Sequence, residues 1–115
     1  MWEYADRHRL PILNHTWQGA HNAPAMLKDV VKEYPNAQFL LGHSGGGDAG
    51  RAEAEELAAA HDNVFLEWCG SFCCRPSWND TLAPVGPRKV VFGTDAMAHD
   101  THWELGRLLS LDVPD

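Results

Sequence analysis

Tyr34-Pro35-Asn36-Ala37-Gln38-Phe39-Leu40-Leu41-Gly42-His43-Ser44-Gly45-Gly46 is the stretch on which the fold turns. Pro35 and Asn36 end the helical pattern before them, since proline cannot continue a helix and biases its predecessor toward extended backbone. The apolar run Ala37–Leu41 then stops at Gly42-His43. A short apolar run bounded by turn residues is the pattern of a strand buried on both faces, as in a parallel sheet. Beyond the glycines, Asp48 is placed to cap a helix rich in Ala and Glu from Ala49 to Ala60.

Working outward, the same punctuation recurs. Pro11-Ile12-Leu13-Asn14 ends at His15, Asn63-Val64-Phe65-Leu66 ends at Glu67-Trp68, and Lys89-Val90-Val91-Phe92 ends at Gly93-Thr94-Asp95. The four runs begin at positions 11, 37, 63 and 89, a constant step of 26 residues. Between the first two, Ala25, Met26, Val30 and Val31 form an apolar face opposite Lys28, Asp29, Lys32 and Glu33, with Pro24 suited to a first helical turn. The third interval has Pro76, Pro84, Gly86 and Pro87, leaving room for a short helix around Ser77–Ala83. After the fourth run, Trp103, Leu105, Leu108 and Leu109 predict a helix ending near Pro114. The order β-α-β-α-β-(α)-β-α implies an α/β fold with right-handed crossovers and a parallel sheet. No linker or low-complexity tract divides residues 1–115, which read as one domain.

Composition narrows the function. Nine Lys+Arg against 16 Asp+Glu give a net charge of −7, a poor match to nucleic acid or an anionic membrane. The chain shows no apolar stretch near the roughly 20 residues of a membrane span and no secretory signal pattern. With 115 residues it is too short for a complete (β/α)₈ barrel of about 250. The odd, clustered cysteines Cys69, Cys73 and Cys74 suggest reduced thiols and a cytoplasmic location. Their C-x3-C-C spacing differs from the paired C-x2-C of zinc sites, and small packed or loop residues are the plainer reading.

Each apolar run delivers a polar residue at its carboxyl end: His15, His43, Glu67 and Asp95. Parallel α/β folds build their sites there, on loops held by a rigid sheet. Two imidazoles and two carboxylates at one rim suit a divalent cation or acid–base chemistry. Glu67 is ambiguous, because it falls where a strand residue would point to the helices. Trp17 and Trp68 are candidates to line a pocket, with ordinary packing the plainer reading of each. His21, His99 and His102 fall in rim loops, while His8 and His61 read as solvated.

A competing motif overlaps the second strand end. Gly42-His43-Ser44-Gly45-Gly46 fits G-x-S-x-G, the nucleophile elbow of serine α/β-hydrolases, with Asp95 and His99 or His102 as partners for Ser44. The upstream loop that would complete its oxyanion hole has one candidate, His15–Gly19, only one helix away, which argues against that reading. A phosphate loop is a weaker reading still, since no Lys-Ser or Lys-Thr follows the glycines.

The stretch Tyr34–Gly46 resembles the sixth-strand signature of the amidohydrolase-related family. That is the branch of metal-dependent TIM-barrel hydrolases that includes aminocarboxymuconate-semialdehyde decarboxylase. Pro11–His15, Asn63–Glu67 and Arg88–Asp95 resemble its fifth, seventh and eighth strands, in order. The resemblance implies a parallel βα repeat equivalent to strands five to eight, the second half of a TIM barrel. It implies His15 as a metal-ligand histidine, and His43 as the histidine that polarises substrate or metal-bound water. Asp95 would contact the metal and serve as general base. Trp17, Glu67 and Trp68 would contact a small-molecule substrate, with Glu67 standing where relatives often have Asp.

The implied cofactor is a divalent metal, foremost zinc, which suits imidazole and carboxylate donors and lowers the pKa of bound water toward about 7. The implied reaction is hydrolysis of an amide, ester or lactone, with non-oxidative decarboxylation at the same site as an alternative. The family's first strand supplies His-x-His or Glu-x-His, and neither occurs here. The isolated chain is therefore expected to bind metal weakly, to lack turnover, and to need a second copy or an amino-terminal half-barrel. A non-catalytic assembly unit is the remaining alternative.

Overall fold

The computed structural model describes residues 1–70 and 78–111. Helix α1 (Trp2–His8) leads into strand β1 (Pro11–His15), and a 3₁₀ turn at Pro24–Leu27 opens α2 (Lys28–Glu33). There follow β2 (Gln38–Gly42), α3 (Asp48–Ala60), β3 (Val64–Trp68), α4 (Trp78–Val85), β4 (Val90–Phe92) and α5 (Thr101–Leu109). The sheet order is β1-β2-β3-β4 and every pairing is parallel. This is the expected α/β architecture, an arc of βα units consistent with half of a TIM barrel. Each strand starts within one residue of its predicted place, and α4 and α5 fall where the short and the last helix were expected. Cys73, Cys74 and the expected helix end near Pro114 lie outside the described residues.

Strand alternation sends one residue set to the helices. Ile12, Phe39, Leu41, Val64, Leu66 and Trp68 are buried with Val31 of α2 and Ala54, Leu57 and Ala58 of α3. Full burial of side chains the size of Phe39, Leu41 and Leu66 stabilises by roughly 1.5–3 kcal/mol each. The other face is different. Leu13, Leu40 and Phe65 stand in register across β1, β2 and β3, yet Leu13 is 65% exposed and the other two are only half-buried. The expectation of strands buried on both faces is thus corrected: among the described residues the helices cover one face, and the face that would line a barrel stays open. Apolar runs alone cannot say which cover comes from the same chain.

Polar side chains fix the strand starts. Asn63 donates from Nδ2 to the carbonyls of Val31, Tyr34 and Ala37 at 3.0–3.2 Å, tying the end of α2 to the start of β3. Asp6 of α1 accepts the backbone N–H of Asn36 at 2.6 Å and of Ala37 at 3.2 Å. Asp48 is not the cap expected of it: Gly47 occupies that position, and Asp48 opens α3 as an acidic first-turn residue favoured by the helix dipole. Asp100 does cap α5, accepting the N–H groups of His102 and Trp103.

Candidate functional site

The site is assembled at the carboxyl ends of the four strands. His15 ends β1 opposite Gly42 of β2, so His43 begins one step beyond it. Thr16 locks the two ends together: its buried hydroxyl donates to the Gly42 carbonyl at 2.7 Å and accepts the Gly45 N–H at 2.9 Å. His43 (φ 62°), Ser44 (φ 47°) and Asp95 (φ 48°) all adopt left-handed backbone. That conformation costs about 1–3 kcal/mol per non-glycine residue, and such strain gathers at functional sites.

His15, His43, Glu67 and Asp95 line one cavity of about 330 Å³, together with Leu13, Gly42 and Cys69. The histidine rings meet edge-on, with centroids 4.9 Å apart. Asn22 lies 2.8 Å from His15 Nδ1 through its side-chain amide, a contact that orients the ring. Glu67 is a strand residue, but its side chain turns to the cavity and not to the helices. Its Oε2 accepts the His43 backbone N–H at 3.2 Å. Its other oxygen lies over Gly93, so any side chain there would displace the Glu67 carboxylate from this position. His99 Nε2 stands 3.6 Å from Asp95 Oδ2, which brings one of the expected loop histidines to the site.

Trp17 reaches the same place. Its ring stacks near His15 at 6.5 Å and meets His43 edge-on at 5.6 Å. Trp68 does not. It is 1% exposed in the core, donates from its indole to Glu104 Oε2 at 3.2 Å, and lies under the Arg107 guanidinium. The reading of Trp68 as a substrate contact is therefore corrected: strand alternation sends residues 64, 66 and 68 to the helices and 67 to the cavity. Ser44 is buried, and its hydroxyl donates to the Glu67 carbonyl at 2.8 Å, a bond that braces β3 against the loop.

Cys69 was not singled out by sequence reasoning. Its Sγ donates to Glu67 Oε2 at 2.8 Å and lies 3.2 Å from His43 Nδ1. Burial, reinforced by the Glu67 carboxylate, pushes the thiol well above its ordinary value, so it stays protonated at neutral pH. The available signal was spacing: in extended chain, residues 67 and 69 share a side.

The family described as Amidohydrolase matches residues 1–115. The chain belongs to the amidohydrolase family. No curated protein matches it. Amidohydrolases generally use divalent metals. The donor types here suit such an ion, but among the described residues no group of three or more His, Cys, Asp or Glu is arranged to hold one. A catalytic zinc site needs about three protein ligands, so these residues do not by themselves complete the amidohydrolase centre. No helix among the described residues is long and apolar enough to cross a membrane.

Proposed function

We propose that this chain carries the His15–His43–Asp95 side of a hydrolase site of the amidohydrolase-related type, acting on amide, ester or lactone bonds of a small molecule. The observation that carries the reading is the convergence of His15, His43, Glu67 and Asp95, one from each strand end, on a single cavity. Its volume of about 330 Å³ falls at the lower end of the roughly 300–1,000 Å³ typical of small-ligand pockets. The strand-end motifs support placing the four strands as the fifth to eighth of a barrel in the branch that includes aminocarboxymuconate-semialdehyde decarboxylase.

The roles follow from the groups themselves. Asp95 accepts a proton from an attacking water, and His43 exchanges a proton with substrate or water. Trp17 walls the two histidines, and Glu67 holds the His43 backbone. His15 and Asp95 are the proposed metal donors, and imidazole with carboxylate favours zinc or a similar borderline ion. With fewer than three convergent donors, the chain alone is expected to bind zinc weakly and to show no turnover. Calorimetric titration with zinc, beside assays on simple amides, esters and lactones, tests this. Weak binding that drops further in His15→Ala is the expected result. Tight stoichiometric binding with robust turnover, or binding indifferent to His15→Ala, overturns it.

A further inference from the structure

The groups around His43 Nδ1 go beyond its assignment as a proton-handling residue, an assignment that rests on the reading above. The ring is clamped. Trp17 and His15 meet it edge-on, and Gly70 (φ 100°) backs onto Nδ1 so closely that a Cβ there would stand 2.9 Å from that nitrogen. The Cys69 sulfur approaches Nδ1 at 3.2 Å. A thiol has one proton and a carboxylate has none to give. With Glu67 Oε2 only 2.8 Å from Sγ, the thiol proton belongs to that bond. The sulfur then faces Nδ1 as an acceptor, and a favourable contact requires the proton to be on Nδ1.

We infer that Cys69, held by Glu67, is a positioning residue that fixes neutral His43 in its Nδ1–H tautomer and presents Nε2 to the cavity as a lone pair. His43 in this state takes a proton at Nε2, and donates from that atom only after it has become an imidazolium. This sharpens the role the family resemblance implies: the neutral ring is an acceptor at the reacting atoms, and the donor form appears within the cycle. The carboxylate does not touch the ring itself. It acts through the sulfur and through the His43 backbone N–H, which it accepts at 3.2 Å.

The test is the tautomer itself, read by long-range ¹H–¹⁵N correlation on the ¹⁵N-labelled full chain, without metal or substrate and at a pH where His43 is neutral. The chain has 7 histidines, and His43→Gln identifies the signal by its loss. The expected wild-type pattern is Nδ1–H with a bare Nε2. Cys69→Ser, which keeps one donor proton and one acceptor atom, retains it. Cys69→Ala and the bulkier Cys69→Val release the ring toward Nε2–H, with backbone amide spectra otherwise matching the wild type. An Nε2–H pattern in the wild type overturns the inference. So does an Nδ1–H pattern that survives in whichever of the Ala and Val variants folds. Because no turnover is measured, failure here leaves the hydrolase reading standing, and an inactive chain leaves the tautomer result standing.

Discussion

At the scale of single residues, Thr16 connects stability to the site. Its hydroxyl is buried and bridges the carbonyl that ends β2 and the N–H of Gly45, one residue either side of the His43-Ser44 turn. Replacing it with Val keeps the shape but strands the Gly45 N–H without an acceptor, while the Gly42 carbonyl still receives the Thr16 backbone N–H at 3.1 Å. One unsatisfied buried donor costs about 1–3 kcal/mol. Thr16→Val is therefore expected to lower the unfolding free energy by that amount, read as a lower urea midpoint at unchanged slope, and Thr16→Ser to stay near the wild type. An equal loss in both variants would mean that packing of the methyl group, and not the hydrogen bonds, holds the two strand ends together. The left-handed backbone of His43 and Ser44 depends on this bridge, because strained conformations persist only where the surroundings over-determine them.

At the scale of elements, α5 offers a cap with a pH signature. The backbone N–H groups of His102 and Trp103 bind the Asp100 carboxylate and hold its pKa below the ordinary 3.8. A carboxylate whose folded value is depressed contributes fully above its unfolded value and loses that contribution as pH falls through the folded one. Asp100→Ala should therefore lower the thermal midpoint at neutral pH, and the gap to wild type should close as pH falls below about 4. A gap independent of pH would show that the charge of Asp100 contributes nothing to the cap. Elements of this kind were largely legible in the sequence. The even step between apolar runs located all four strands, because a run of about five apolar residues between turn formers has few other uses. The gathering of His15, His43 and Asp95 at one rim was legible for the same reason, since each stands at or just beyond the carboxyl end of an apolar run. The cap on α3 was misread: Gly47 and Asp48 are both favoured at that position, and only backbone geometry selects between them. Trp68 and Cys69 were less legible, since the side each faces depends on where β3 ends relative to the helices, a matter of one residue.

At the scale of the whole molecule, the sheet is unfinished on three sides. Among the described residues, β1 and β4 each leave a row of backbone groups without a neighbouring strand, and the face bearing Leu13 is open. Exposed apolar side chains mark both edge strands: Leu13 on β1, with Met26 lining the same cavity, and Phe92 on β4. An open edge with apolar neighbours is a template for pairing, and a monomer would have to leave all of this surface in water. A second copy of the chain related by a two-fold axis along the strands answers each demand at once. It places β4 of one copy beside β1 of the other, in parallel, at both seams, and buries Leu13, Leu40 and Phe65 in an interior like the layered core of a closed barrel. The chain is therefore expected to sediment as a dimer or larger species, with unfolding that shifts to higher temperature as concentration rises, as mass action requires of coupled folding and association. A monomer at all concentrations, unfolding cooperatively at one fixed midpoint, would show that the single helix-covered face supplies enough burial and that the open face needs no cover.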